Sequence, residues 1–173
     1  IIHFDSKDWR GIDVALLFAV SRQESAFRAD VESSAKAKGL MQLIHSTAER
    51  VARSTGVPLN LIDTDLKRPE VNIQLGSLYL KMLQLRYKGF LPAVIASYNA
   101  GEYPVDQWMQ KRWNNDALIW IELIPFEETR NYVKSVWRNT YIYQHLKAGS
   151  GKITAFRGRL AKKSTEKRPT VRK

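Results

Sequence analysis

The chain of 173 residues contains no cysteine, which excludes disulfides, thiolate chemistry and cysteine-based zinc sites. It has only three histidines, His3, His45 and His145, and their separation matches no metal-binding spacing. No apolar run approaches the roughly 20 residues that span a membrane, and no signal peptide is visible after Ile1. We therefore expect no metal, cofactor or membrane span. The abrupt start suggests a processed or excised piece of a longer protein.

Acidic residues are scarce, with 17 Asp and Glu against 28 Lys and Arg, so the net charge is +11. Residues 157–173 carry a net charge of +7, and the other 156 residues carry only +4. The end of the chain lacks apolar periodicity, so we predict a flexible basic tail over residues 148–173. Such a tail can attract nucleic acid, anionic lipid or an anionic wall polymer, or simply solubilise the chain, and its composition does not choose among these roles.

Alternating strand patterns are also nearly absent, whereas apolar residues recur at helical spacing along the chain. Pro69 suits the first turn of a long helix that ends by Gly89, and Gly101 closes a short helix that begins at Pro92. Pro125 precedes the last predicted helix. The fold class is therefore predicted to be all-α, with one globular unit from about residue 5 to 147.

Two shorter segments complete the helix prediction. Ser46 and Glu49 are spaced as a capping box for a helix over residues 47–54, with Gly56 as its stop. The apolar run over residues 118–124 is ambiguous, and a short helix or irregular segment is favoured over an isolated strand.

Glu24 lies on the same predicted helical stripe as two apolar residues. Leu16, Val20 and Glu24 follow each other at steps of four, which places them on one face of a helix. A carboxyl on that apolar face is desolvated, so its pKa is raised and it can stay protonated near neutrality, as a general acid must. The ordinary alternative is a glutamate near a helix end that bends out into water.

Four short segments combine polar side chains with glycine, proline or apolar neighbours. They are Gln23-Glu24-Ser25, Gly39-Leu40-Met41-Gln42, Ala96-Ser97-Tyr98-Asn99-Ala100-Gly101 and Glu122-Leu123-Ile124-Pro125-Phe126-Glu127-Glu128-Thr129-Arg130. Their order and spacing resemble the catalytic domain of the soluble lytic transglycosylases, goose-lysozyme-like enzymes that cleave peptidoglycan. The likeness covers roughly residues 14–146. It implies a lysozyme-like α domain whose groove holds alternating N-acetylglucosamine and N-acetylmuramic acid.

The resemblance also implies roles for individual residues. Glu24 is the catalytic acid, Tyr98 brings its hydroxyl near that carboxyl, and Glu122 is a second, buried glutamate beside the groove that raises the pKa of Glu24 when ionised. The residues implied to bind substrate are Ser33, Met41, Gln42, Tyr98, Asn99 and Glu122.

Packing roles stand beside these assignments. Met41 can fill a core gap, Tyr98 can bury its ring, and Asn99 is better explained as structural than as ligand-binding. Arg130 can pair with Glu122 or with Glu127 and so hold the fold.

The sequence departs from the family pattern at two positions. Lys36 stands where members often have glycine, and His45 stands where they tend to have proline. Neither change touches the acid, so they bear on substrate preference rather than on activity.

The resemblance implies cleavage of the MurNAc-β-1,4-GlcNAc bond with closure of a 1,6-anhydro ring. Glu24 acts first as acid and then as base, and the substrate's N-acetyl group replaces the second carboxylate that most glycosidases use. One rival is hydrolysis of the same bond by water, as in goose-type lysozymes. Others are a noncatalytic wall-binding scaffold and a small basic nucleic-acid-binding protein, the last supported only by charge.

We expect the substrate to be peptidoglycan glycan strands rather than nucleic acid. The expected location is the bacterial periplasm or cell envelope, where the chain acts as a monomer. The basic tail is a candidate for contacts with wall-associated proteins.

Overall fold

The computed structural model describes residues 11–58 and 66–147. Within these ranges there are seven helices and no strands, so the predicted all-α class is confirmed. The helices are α1 (Val14–Ser25), α2 (His45–Thr55), α3 (Pro69–Arg86), α4 (Leu91–Ala100), α5 (Glu102–Lys111), α6 (Ala117–Glu122) and α7 (Glu127–Lys147). None of these helices is both long and apolar enough to cross a membrane.

Proline and glycine mark several helix ends as predicted. α3 begins at Pro69, α2 stops at Gly56 with φ of 73°, and α4 stops at Gly101. The ambiguous run near residue 118 contains the short helix α6, whose N-terminus is capped by the side chain of Asp116. Pro69, Gly56 and Gly101 act through local backbone geometry, which explains why the sequence alone indicates them.

The predicted capping box of α2 is wrong. The helix already includes Ser46, because it begins at His45 after Ile44, which makes no side-chain capping bond. Glu49 forms an ion pair with Arg53 one turn later instead of turning back to the helix start.

The chain divides into two compact units, residues 1–82 and 83–173, with the division inside α3. In the first unit the buried apolar residues come from α1, α2, the first part of α3 and the turns between α1 and α2. The guanidinium of Arg50 in α2 lies 5.3 Å from the ring centre of Tyr79 in α3. The single domain predicted from residue 5 to 147 stays a prediction, and the predicted tail lies outside the described residues.

In the second unit, α4 packs against α5 and α7, and α6 packs against α7. Edge-to-face aromatic pairs fill the spaces between the segments. The ring of Phe90 lies 5.0 Å from Trp113 and 5.3 Å from Trp120, and Trp108 lies 5.1 Å from Phe126. Such pairs add to the stabilisation from apolar burial.

A polar network joins the end of α3 to α4 and α5. The buried Tyr87 donates a hydrogen bond of 2.9 Å to Asp106 and accepts one of 2.7 Å from the hydroxyl of Ser97. Arg86 pairs with the same Asp106 carboxylate. Burial raises the pKa of Tyr87 well above its ordinary value, so the folded protein favours the neutral phenol.

Candidate active site

Glu24 lies in the last turn of α1. Leu16 and Val20, which precede it on the same stripe, are fully buried, so the predicted apolar face is confirmed for these two residues. Glu24 itself is half-buried. Its carboxyl therefore combines an apolar flank with access from solvent, which a group that exchanges protons with a substrate requires.

The chain leaves α1 through two residues with left-handed backbone, Ala26 with φ of 50° and Phe27 with φ of 65°. Their N–H groups donate to the carbonyls of Arg22 and Ser21 and so close the helix end. Left-handed conformation at a non-glycine residue costs about 1–3 kcal/mol and is common near functional sites.

Ser25 connects the residue beside Glu24 to the next motif. Its buried hydroxyl lies 2.8 Å from the carbonyl oxygen of Leu40 and 3.1 Å from that of Ser21. A hydroxyl has one proton to donate, so these two carbonyls share it. The contact with Leu40 fixes the end of α1 against the segment Gly39–Gln42, which we call the GLMQ turn.

Backbone pairing closes the GLMQ turn at its base. Lys38 and Leu43 exchange two backbone hydrogen bonds of 3.0 and 3.1 Å. Gly39 has φ of 79°, and a Cβ atom there would lie 2.5 Å from both the Asn72 amide nitrogen and the Leu66 carbonyl oxygen. Only glycine therefore fits this position without displacing its neighbours.

The half-buried Gln42 uses both of its side-chain N–H bonds inside the protein. Its Nε2 donates to the carbonyls of Gly39 at 2.8 Å and of Val31 at 3.1 Å. Because both partners are acceptors, the nitrogen must face them, and the oxygen Oε1 faces elsewhere. No described residue donates to Oε1, so Gln42 can accept a hydrogen bond from a ligand hydroxyl or amide N–H.

Met41 is wholly buried, and its side chain packs against Gly76 of α3 so closely that a Cβ atom there would clash with it. This placement favours the packing role, and a contact between Met41 and substrate stays a prediction.

Ser33 is half-buried, and its hydroxyl accepts a hydrogen bond of 3.1 Å from the N–H of Ala37. The Ser33 proton remains available for donation, so its substrate contact also stays a prediction.

Sequence reasoning did not single out Asn72. This residue of α3 is completely buried, and its side chain makes hydrogen bonds of 2.7 to 2.8 Å to Lys38, Met41 and Leu66. The available signal was its spacing from the buried Leu75 and Tyr79, which lie three and seven positions further on and share its helical face. An amide on such an apolar face needs hydrogen-bond partners.

Both departures from the family pattern fall at positions with a defined backbone requirement. Lys36 has φ of 62°, a conformation that glycine adopts without steric cost. His45 is the first residue of α2, where proline is favoured because no helical hydrogen bond is lost. Lys36 is exposed and lies 3.5 Å from Glu32, which also pairs with Lys67 at 3.0 Å.

In the second unit, Tyr98 and Asn99 lie at the end of α4 and are half-buried. The side-chain oxygen of Asn99 accepts a hydrogen bond of 2.7 Å from the hydroxyl of Thr129 in α7. This contact favours the structural role of Asn99. Substrate binding by Tyr98 and Asn99 stays a prediction.

The expected burial of Glu122 is wrong. Its side chain is 63 % exposed and lies 2.7 Å from the ammonium of Lys134, because α6 ends at this residue beside the solvent-facing side of α7. The expected pairing of Arg130 with Glu122 or Glu127 is wrong as well, since Arg130 donates to the carbonyl of Ile124 at 2.7 Å. A substrate contact by Glu122 stays a prediction.

No cluster of three His, Asp or Glu residues in the described ranges is placed to hold a metal ion.

Two family models match the chain. The Transglycosylase SLT domain model matches residues 3–121, and the soluble lytic transglycosylase helical domain model matches residues 123–151. A soluble lytic murein transglycosylase from Salmonella typhimurium is 35 % identical over 139 residues, which are 79 % of this chain and 22 % of that protein.

Solved structures give the same relationship. The inactive mutant of lytic transglycosylase Slt from Pseudomonas aeruginosa is 38 % identical with a TM-score of 0.76, covering 85 % of this chain and 24 % of that one. The 70-kDa soluble lytic transglycosylase in complex with bulgecin A is 32 % identical with a TM-score of 0.74, covering 80 % of this chain and 22 % of that one. The chain thus spans about a quarter of the length of these relatives.

The protein has a helical fold, a half-buried Glu24 at the end of its first helix and a GLMQ turn that is hydrogen-bonded to the neighbouring Ser25. These features define a lysozyme-like class of protein. The chain belongs to the soluble lytic transglycosylase (SLT) family.

Proposed function

We propose that this chain is the catalytic part of a peptidoglycan lytic transglycosylase that cleaves the MurNAc-β-1,4-GlcNAc bond. The observation that carries the proposal is the half-buried Glu24 at the end of α1, whose neighbour Ser25 is bonded to the GLMQ turn. The family membership supports the same reaction. The activity and substrate of the whole protein are included in the proposal, because the chain spans only part of its relatives.

In the proposed reaction the Glu24 carboxylic acid donates its proton to the glycosidic oxygen. The bond between C1 of N-acetylmuramic acid and that oxygen breaks, and N-acetylglucosamine leaves with a free 4-hydroxyl. The N-acetyl group of the muramyl residue stabilises the positive charge at C1. Because one residue serves as acid and later as base, its pKa must lie near the working pH.

In the second half of the reaction, the Glu24 carboxylate removes the proton from the muramyl C6 hydroxyl. The C6 oxygen then bonds to C1 and closes the 1,6-anhydro ring. The Glu24 proton is restored and no water is consumed, so a second carboxylate that activates water is not required.

Substrate contacts are proposed for Ser33, Met41, Gln42, Tyr98, Asn99 and Glu122. The contact of Gln42 has a defined polarity, because its free atom Oε1 is an acceptor and its partner must be a hydroxyl or N-acetyl N–H of the glycan. The relative from Pseudomonas aeruginosa was solved as an inactive Glu-to-Gln mutant, which supports a glutamate as the catalyst. The relative solved with bulgecin A supports that compound as a ligand to test on this chain.

The proposed location is the bacterial periplasm or cell envelope, where peptidoglycan lies. We further propose that the chain acts as a monomer and that its basic tail contacts the wall or wall-associated proteins.

Mass spectrometry of muropeptides released from purified peptidoglycan tests the proposed function. A transglycosylase releases products with an anhydro end, which are lighter by one water than products of hydrolysis. Products that contain this water would instead establish the goose-type lysozyme reaction. Binding to peptidoglycan with no release of fragments would establish the scaffold, and a mock digestion without protein controls for spontaneous release.

A further inference from the structure

Three polar side chains hold the GLMQ turn, two from neighbouring helices and one from the turn itself. Ser25 of α1 donates to the carbonyl of Leu40, and Gln42 donates to the carbonyl of Gly39 within the turn itself. Asn72 of α3 accepts from the N–H of Met41 at 2.7 Å. The turn is therefore fixed at its carbonyls and at an N–H group simultaneously.

Asn72 also holds the segments on both sides of the turn. Its Nδ2 donates to the carbonyls of Lys38 and Leu66, each at 2.8 Å. Asn72 has no exposed surface, and Gly39 has no side chain, so the amide packs directly on the backbone. With one acceptor and two donors in use, no other residue type of similar size satisfies all three backbone groups.

We infer that Asn72 is a positioning residue for the reaction, because it sets the GLMQ turn and thereby the places of Gln42 and Glu24. Gln42 belongs to the turn, and Glu24 is connected to the turn through Ser25 and Leu40. Asn72 touches no substrate and acts only through these backbone contacts. The inference rests on the proposed function.

The substitution Asn72→Asp separates positioning from simple loss of volume. Aspartate keeps the size of the side chain and the acceptor for the Met41 N–H. It replaces the amide nitrogen with an oxygen that faces the carbonyls of Lys38 and Leu66. Both donor contacts are lost, and the carboxylate oxygen is left facing two carbonyl oxygens that also only accept hydrogen bonds. Asn72→Ser is a second variant that removes these contacts without adding charge, for use if the aspartate variant does not fold.

The matched control is Ser77→Ala. Ser77 lies in the same helix α3 and is equally buried, but its hydroxyl donates to Gln74 of its own helix at 2.9 Å and reaches no part of the turn. All variants are compared at temperatures where circular dichroism shows them fully folded. With soluble glycan strands as substrate, kcat/KM of the Asn72 variants should fall about 10–100-fold. A loss of this size is typical for residues that orient catalytic groups without contacting the substrate. Ser77→Ala should stay near wild type.

A double-mutant cycle with Ser25→Ala gives a readout that loss of stability alone does not move. If Asn72 and Ser25 hold the same turn, the second substitution costs much less in kcat/KM once the first is present. For the control pair Ser25→Ala and Ser77→Ala, the two effects should multiply to within about twofold.

The Asn72 inference is overturned if the folded Asn72 variants keep wild-type kcat/KM, or if their effect multiplies with that of Ser25→Ala as the control does. Wild-type protein that releases no anhydro product overturns the proposed function, and the positioning role of Asn72 with it. Activity of the wild-type protein therefore distinguishes the two failures.

Discussion

Non-glycine residues with left-handed backbone are concentrated just after Glu24. Among the described residues there are five, and four of them lie between residues 26 and 42, namely Ala26, Phe27, Lys36 and Gln42. Each costs folding free energy and persists only where surrounding contacts determine the backbone. In this segment the contacts come from Ser25, Gln42 and Asn72, which hold carbonyl and N–H groups of the turns.

Replacing Lys36 by glycine should stabilise the protein by about 0.5–1 kcal/mol, because the left-handed steric cost disappears and exceeds the added entropy of the unfolded glycine. The lost ion pair with Glu32 is exposed and contributes little. Urea denaturation measures the change. Lys88 also has left-handed backbone, with φ of 51°, so Lys88→Gly should raise the free energy of unfolding by a similar amount. Lys111→Gly in helix α5 should destabilise, and an equal loss for Lys36→Gly would contradict the steric explanation.

Replacing Glu24 by glutamine should leave the fold intact and lower the rate of anhydro-product release by about 10²–10⁴-fold, because glutamine cannot donate and recover a proton. Release of muropeptides at fixed enzyme concentration measures the rate. The exposed Glu70→Gln in α3 is the matched control. If Glu24→Gln kept more than a tenth of the wild-type rate, Glu24 would not be the acid.

Between helices, the hydrogen bond from Thr129 to Asn99 connects α7 to α4. Thr129 is 2 % exposed, so Asn99→Ala leaves its hydroxyl without this acceptor and should destabilise the protein by about 1–3 kcal/mol. Adding Thr129→Val, which removes the hydroxyl as well, should restore much of the loss. Thermal melting of the single and double variants measures both effects.

The same variants separate packing from substrate binding by Asn99. If the double variant is as stable as wild type and has an unchanged KM, Asn99 is structural. A raised KM in the stable double variant would show that the Asn99 amide also meets the glycan.

Helix positions were predictable where single residues act locally, as Pro69, Gly56 and Gly101 do. The start of α2 was not, because Ile44 carries no capping side chain that a pattern could reveal. In the candidate site, the sequence singled out Glu24 and the segment of the GLMQ turn, whose roles stay predictions. It could not show that Asn72 holds the turn, because that contact joins residues 31 to 34 positions apart.

The polar network around Tyr87 makes stability sensitive to alkaline pH. Burial raises the pKa of Tyr87 above its ordinary value of 10.0, so the phenol stabilises the fold fully below that pH. Stability should then fall as pH rises above 10, because the unfolded chain loses the proton first. Urea midpoints across this pH range measure the slope.

Tyr87→Phe should flatten this slope and also lower stability at neutral pH, since Ser97 and Asp106 lose a partner. The control is Tyr103→Phe, because Tyr103 is 78 % exposed. A slope that Tyr87→Phe leaves unchanged would assign the alkaline sensitivity to other groups.

Across the whole molecule, charge is distributed unevenly along the sequence, with +7 on the last 17 residues. Deleting the chain from Gly149 onward should leave the thermal midpoint close to wild type. It should weaken attachment to anionic sacculi at low salt, and the difference should vanish at high salt because exposed charges are screened. Sedimentation with sacculi measures attachment. A large fall in melting temperature would show that this segment contributes to folding.

Four of the five tryptophans, Trp108, Trp113, Trp120 and Trp137, belong to the second unit, and the described part of the first unit contains none. Indole fluorescence is therefore weighted towards the second unit, whereas turnover in the proposed reaction is also lost when the first unit, which carries Glu24, unfolds. Coincidence of the two signals along a denaturant series is a test of two-state unfolding. A midpoint taken from fluorescence alone is therefore weighted towards the surroundings of these four tryptophans rather than those of the GLMQ turn.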